Sequence, residues 1–167
     1  AASFAGQYES YLNIERDGAH DAVRKVWASL WYPSPRSYRW FRGIDEGDLA
    51  MAAVVMRMLD PSIAGVLFTV DPGGTPDAVR LEVVEGLGER LVSGAVTPDA
   101  HVLDRGDLVT SFAAIAPPLA DLAREAIRLE EALGGPQDIE FAVHHDELFL
   151  VQARPITTAV DDTGADD

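Results

Sequence analysis

The residues best suited to chemistry lie near the end of the chain, in Gln137-Asp138-Ile139-Glu140-Phe141-Ala142-Val143-His144-His145-Asp146-Glu147-Leu148-Phe149-Leu150-Val151-Gln152-Ala153-Arg154-Pro155. Two stretches of alternating character flank a short polar turn, which is the pattern of a β-hairpin. Side chains alternate across a strand, so Ile139, Phe141 and Val143 are expected inward with Phe149, Val151 and Ala153. Asp138, Glu140, Gln152 and Arg154 then share the other face. Two registers suit the turn. Pairing Val143 with Glu147 sets Glu140 opposite Leu150 and Asp138 opposite Gln152. Pairing Val143 with Phe149 sets Glu140 opposite Gln152 and Asp138 opposite Arg154. Both keep the four polar groups together, because the apolar side must stay buried. Cross-strand neighbours lie about 5 Å apart. That suits oxygens sharing one hard cation at about 2.1 Å, with Arg154 at the rim to hold a phosphate oxygen. The same residues also read as a solvated face with an ordinary Asp–Arg pair, worth under about 1 kcal/mol.

The rest of the chain must position that face. Its 167 residues suit one compact domain, and 47% hydrophobic residues can fill a core. There is no cysteine, so disulfides and thiolate metal sites are excluded, and a reducing, cytoplasmic setting fits. No apolar run approaches the roughly 20 residues of a membrane span, and no signal-peptide pattern opens the chain. A net charge of −15 argues against nucleic acid. An anionic ligand then needs local amides, an arginine or a bridging cation. The acidic residues 159–167 read as a disordered tail.

Helical spacing of Ala22, Val23, Val26, Trp27 and Leu30 predicts a helix over residues 18–31, ended by Pro33 and Pro35, with a short helix near residues 37–41. Residues 50–59 are apolar enough for a buried strand, in which Met56 and Met58 would sit. A helix there has the same pattern. Residues 63–70 and 78–85 read as strands around the stop Asp71-Pro72-Gly73-Gly74. Gly86, Gly88 and Gly94 punctuate a loop, and residues 101–103 suit a short strand. Leu119, Leu122, Ala126, Leu129 and Leu133 mark a helix over residues 117–133, stopped by Gly134-Gly135. The fold class is α+β with a mainly antiparallel sheet and flanking helices.

An ordered set of stretches resembles the nucleotide-binding part of the dikinase family, which comprises phosphoenolpyruvate synthase, pyruvate phosphate dikinase and rifampicin phosphotransferase. The stretches are Ser3-Phe4-Ala5-Gly6-Gln7, Val26-Trp27-Ala28-Ser29-Leu30, Ala64-Gly65-Val66-Leu67-Phe68-Thr69, Asp71-Pro72, Glu85-Gly86-Leu87-Gly88-Glu89, Val92-Ser93-Gly94, Thr97-Pro98-Asp99, Pro136-Gln137-Asp138-Ile139-Glu140 and Gln152-Ala153-Arg154-Pro155-Ile156-Thr157. The resemblance implies an ATP-grasp fold holding ATP and Mg²⁺, and passage of the ATP β-phosphoryl group to a histidine on a mobile carrier domain. A third domain then delivers it to pyruvate or a drug. It implies metal-binding roles for Glu140, Asp138 and Gln152, and phosphate contact for Arg154. It further implies a phosphate loop around Gly6 and Gln7, base contact along the strand of Met56 and Met58, and a place near the ribose for Glu89.

The sequence also departs from the family pattern. The family carries a whole lobe before the Ser-Phe-Ala-Gly-Gln loop, with a phosphate-binding lysine and another arginine, so an incomplete ATP-grasp domain over residues 1–158 is expected. Met56 stands where a glutamine is usual, and it packs on a base but hydrogen-bonds poorly. His20, His101, His144 and His145 lack the setting of a carrier histidine. The chain is thus expected to act with that lobe and a phosphohistidine carrier, in cis or in trans. Two other readings stand beside this one: a non-catalytic module using the scaffold for protein contact, with self-association through exposed apolar surface, and a different ATP-grasp chemistry such as carboxylate–amine ligation.

Overall fold

The computed structural model describes residues 8–156, apart from residues 93 and 95. Gly6, Gln7 and the acidic tail therefore lie outside the described residues. The chain forms two compact units, residues 1–58 and 59–167. Charge divides unevenly between them. The first holds seven acidic and seven basic residues, the second twenty-one and six, so the whole −15 falls on the second.

In the first unit a 3-10 turn at Arg16–Gly18 leads into helix α1 (Ala19–Ser29). Pro33 does end α1, and it also opens helix α2 (Pro33–Arg42), which is longer than the spacing predicted. A proline ring presets φ for a first helical position, where its missing N–H costs nothing. Gly43 closes α2 at φ +66, a left-handed cap that favours glycine. Arg39 is buried, and its Nη2 donates to the Leu30 carbonyl at 2.6 Å. That satisfies one of the carbonyls the end of α1 leaves open.

The expected strand over residues 50–59 does not form. The segment joins no ladder among the described residues, and Val54, Val55 and Met56 are largely exposed. Apolar composition raises strand propensity but does not supply a partner edge, and a strand without one has no hydrogen bonds to make. Met56 and Met58 are accordingly neither strand nor core residues.

The second unit is built on a five-stranded sheet in the order β3-β2-β1-β4-β5, antiparallel at every pairing. The strands are β1 (Ile63–Phe68), β2 (Ala78–Glu85), β3 (Asp99–Asp104), β4 (Gln137–His144) and β5 (Glu147–Pro155). Helix α3 (Glu89–Val92) lies in the loop between β2 and β3, while α4 (Leu108–Ile115) and α5 (Leu119–Leu133) follow β3. The architecture is α+β, as expected. The sequence reading missed α3 and α4, and gave β3 too few residues. In α4, Leu108 and Phe112 are both buried, a spacing of four that fits one helical face.

One sheet face packs on α4 and α5. Leu67, Leu81, Ile139, Phe141 and Val143 meet Phe112, Leu119, Leu122 and Ala126 in the main core, each large side chain contributing about 1.5–3 kcal/mol by leaving water. Leu133 lies outside that core, half-exposed at the end of α5. On the other face a smaller cluster of Ala64, Val84 and Ala142 is covered by Leu59, Leu91 and Val96. It occupies only one end of the face; along the rest, polar side chains flank Val66 and Phe68. Among the described residues no helix is long and apolar enough to cross a membrane.

Candidate functional site

The register shows how the polar side chains come together. Directly paired residues share a face. Asp138 pairs with Arg154 and Glu140 with Gln152, and on the other side of β4 the same two residues pair with Phe68 and Val66 of β1. The turn is two residues long, His145 and Asp146, both at positive φ (51° and 61°), the geometry of a type I′ hairpin.

Neither register expected from the sequence holds throughout. From the turn outward, His144 pairs with Glu147, Val143 with Leu148 and Phe141 with Leu150. A β-bulge then leaves Val151 without a partner, and beyond it Glu140–Gln152 and Asp138–Arg154 follow the second register. A bulge inserts one residue and resets the alternation. The expected inward set is corrected accordingly. Leu148, not Phe149, packs against the main core, Phe149 pairs with Ala142 on the opposite face, and Val151 is exposed.

Asp138 is buried, yet its carboxylate is held. The Arg154 guanidinium donates to Asp138 Oδ2 through Nε at 2.7 Å and lies 2.5 Å from it through Nη2. Arg154 itself is half-exposed, with a surface free for another anion. Glu140 is partly buried and makes no hydrogen bond or ion pair with a described residue. Burial first, and then the neighbouring Asp138 charge, push its carboxyl above the ordinary value, while Arg154 pulls the other way. A carboxylate so placed gains from a cation.

The donors available to a cation are the Glu140 carboxylate and the Gln152 amide oxygen. Among the described residues no three acidic or histidine side chains gather as a metal site, so the face offers no all-protein cage. The pair suits a hard divalent ion that keeps water and takes its other oxygens from a phosphate.

A network that the sequence reading missed fixes this end of the sheet. Thr69, just past β1, donates its backbone N–H to the Gln137 carbonyl at 2.9 Å and accepts from the Gln137 backbone N–H through its hydroxyl at 2.8 Å. Arg105 donates to the Thr69 carbonyl and, through Nη2, to Glu130 of α5 at 3.0 Å. These bonds tie the start of β4, and hence Asp138, to β1 and α5. No local pattern around Arg105 signals its partners, which lie 36 and 25 residues away.

Glu89 does not join this cluster. Glu89 lies exposed at the start of α3, beyond Glu85, at the end of β2 opposite to Arg80 and thus away from the row of Asp138. Met56 and Met58 belong to the other unit.

Comparison with known proteins gives consistent results. The family model described as pyruvate phosphate dikinase, AMP/ATP-binding domain, matches residues 1–117 and 116–166, two pieces that meet between α4 and α5. The chain is 36% identical to a probable phosphoenolpyruvate synthase of Methanothermobacter thermautotrophicus, over 94% of this chain and 28% of that protein. It is 31% identical to the phosphoenolpyruvate synthase of Pyrococcus furiosus, over 99% and 25%. It is 36% identical to the rifampicin phosphotransferase of Streptomyces sviceus, over 94% and 22%. The chain thus spans about a quarter of the length of these relatives.

Proposed function

The chain belongs to the family of pyruvate phosphate dikinase AMP/ATP-binding domains, and from that premise we propose that it is the ATP- and Mg²⁺-binding portion of a dikinase-type phosphotransferase with an ATP-grasp fold. The carrying observation is the open face on which Glu140–Gln152 and Asp138–Arg154 stand in adjacent cross-strand pairs. Phosphoryl transfer asks a protein for position and charge neutralisation more than for covalent help.

Each residue has a role that its surroundings support. Glu140 and Gln152 would hold Mg²⁺, which supplies neutralisation of phosphate charge and a template for its oxygens. Asp138 would orient the Arg154 guanidinium, leaving its outer edge for the phosphoryl group in transfer. Gly6 and Gln7 would bring backbone amides to the phosphates. The segment around Met56 and Met58, outside any described ladder, would present apolar side chains and backbone groups to the base. Glu89 lies apart from the phosphate residues, which suits contact with the ribose end of a nucleotide. The β-phosphoryl group would pass to a histidine on a carrier domain, for delivery to pyruvate or a small antibiotic-like acceptor.

The test is to combine the chain with an upstream lobe and a carrier domain, in cis or in trans, and to follow phosphohistidine formed from ATP labelled at the β-phosphate. Label should appear only with Mg²⁺. Glu140→Ala or Arg154→Ala should slow labelling by about 100-fold or more, the scale seen when a transition-state contact is removed. Labelling that proceeds unchanged in both variants would sink the assigned roles.

One observation favours a second reading of the first unit. Trp40 and Phe41 on α2 are more than three-quarters exposed, as a protein-contact surface would be. A stable dimer in light scattering, unaffected by Mg·ATP and lost in Trp40→Ser/Phe41→Ser, would support that use of the scaffold.

A further inference from the structure

The two polar pairs of β4 and β5 continue across the sheet into residues with no role in the reading above. The register runs from Asp138 through Phe68 to Arg80, and from Glu140 through Val66 to Glu82. Arg80 and Glu82 therefore share the face of Arg154 and Gln152, two strands from Asp138 and Glu140, or about 10 Å by strand spacing. Arg80 Nε donates to Glu82 Oε1 at 2.7 Å, and both side chains are only partly exposed. The face is thus bracketed. Arg154 rests on Asp138 at one side, Arg80 rests on Glu82 at the other, and Phe68 and Val66 form the floor between. At the far end of the same face, Ala64, Val84 and Ala142 are already covered.

Charge gives this layout a consequence. The unit carries twenty-one acidic residues against six basic ones, so it repels a polyanion almost everywhere. Here two of the six guanidiniums face the same floor. Arg80's cross-strand neighbours are Phe68 and Val102, so Glu82, two places along its own strand, is its hydrogen-bonded partner. An ion pair that keeps this contact with solvent is weakly held. A charge-assisted bond to phosphate is stronger and can displace it.

We propose that Arg80 is a second anion-contacting residue of this site, held by Glu82 until a polyphosphate lying over Val66 and Phe68 takes the guanidinium. The inference rests on the reading of the face as a phosphate site. Arg154 and Arg80 then approach the polyphosphate from opposite sides, and Glu82 is released to solvent.

The experiment is calorimetric titration of the full chain with inorganic tripolyphosphate in excess Mg²⁺ at fixed ionic strength. Arg80→Gln should weaken binding by about tenfold or more, the low end for a hydrogen bond between charged groups. Arg80→Lys should recover part of the loss. Glu82→Gln should tighten binding, because it frees Arg80. Both Gln variants break the same ion pair, so a merely structural role would move them in the same direction. Losses in both, or an Arg80→Gln affinity equal to wild type while Arg154→Gln weakens binding, overturn this inference and leave the site reading standing. Absence of binding by the wild-type chain overturns the two together.

Discussion

Glu140 stands directly opposite Gln152, although strict alternation from the two-residue turn would place Val151 there. The bulge at Val151 turns an apolar neighbour into an amide. Without it, Asp138 would face Ala153, and neither the Glu140–Gln152 pair nor the Asp138–Arg154 ion pair would exist. The site therefore depends on one residue that makes no pair.

Glu140 should weaken the metal-free fold at neutral pH. Its folded pKa is raised, by burial and then by Asp138. A raised acid favours the fold in its protonated form, so its stabilising contribution is complete below the unfolded value near 4.5 and is lost as pH rises through the folded value. Glu140→Gln should then raise Tm at pH 7 in chelator, and the gain should vanish on acidification toward pH 4. Mg²⁺ should raise the wild-type Tm at pH 7 and leave that of the variant unmoved. A variant melting below wild type at pH 7 in chelator would contradict the burial argument.

Removing Arg154 leaves a buried carboxylate without its partner. Arg154→Ala should cost about 1–3 kcal/mol, less than a fully buried pair because the guanidinium is half-exposed. Asp138→Asn in the same background should return part of that loss. Urea denaturation of the two single variants and the double variant measures the coupling, and additive losses would show that the pair is not a stabilising unit.

Gly65 has no room for a methyl group. A Cβ built there would lie 2.1 Å from the Glu82 carbonyl oxygen and 2.8 Å from the Phe141 ring. The nearer atom is backbone, so β2 must move off β1. Gly65→Ala should destabilise by about 3 kcal/mol, at the upper end for overpacking. It should also separate Glu82 from Glu140, which stand on either side of Val66, so tripolyphosphate binding should fall in whatever fraction stays folded. Denaturation midpoints and titration of the same sample check both effects.

Asp71 stabilises the turn after β1 in its charged form. Its carboxylate accepts from the Gly73 and Thr75 amides, each at 3.1 Å. The Thr75 side chain and the Gly73 amide hold its pKa below the ordinary 3.8, against the opposing effect of burial. A lowered acid contributes stability that is present above its unfolded pKa and is lost as pH falls through the folded value. Asp71→Asn should therefore melt below wild type at pH 7, and the two curves should converge once pH falls below the folded value. Parallel melting curves from pH 7 to pH 2 would overturn the carboxylate's role.

What was legible in the sequence followed from short-range pattern. The bounds of β2 are those of the alternating residues 78–85, and the spacing of Leu119, Leu122 and Ala126 gave the buried face of α5. Gly134 takes a left-handed φ of +77 where the helix was expected to stop. What failed needed a partner to decide it. Residues 50–59 have the composition of a strand but no edge to join. Phe149 and Leu148 exchanged faces because the bulge lies between them and the polar pairs.

By itself the sequence determined that Asp138 shares a strand face with Glu140, and Gln152 with Arg154, because alternation along a strand is a property of local backbone geometry. It also determined the family, through the order of its motifs. Tertiary structure alone decided which amide faces which carboxylate, through a one-residue bulge, and it alone carried Arg80 and Glu82 to the same floor from some 60 residues earlier in the chain. The physical reason is that strand pairing is set by hydrogen bonds between distant segments, which no local spacing encodes.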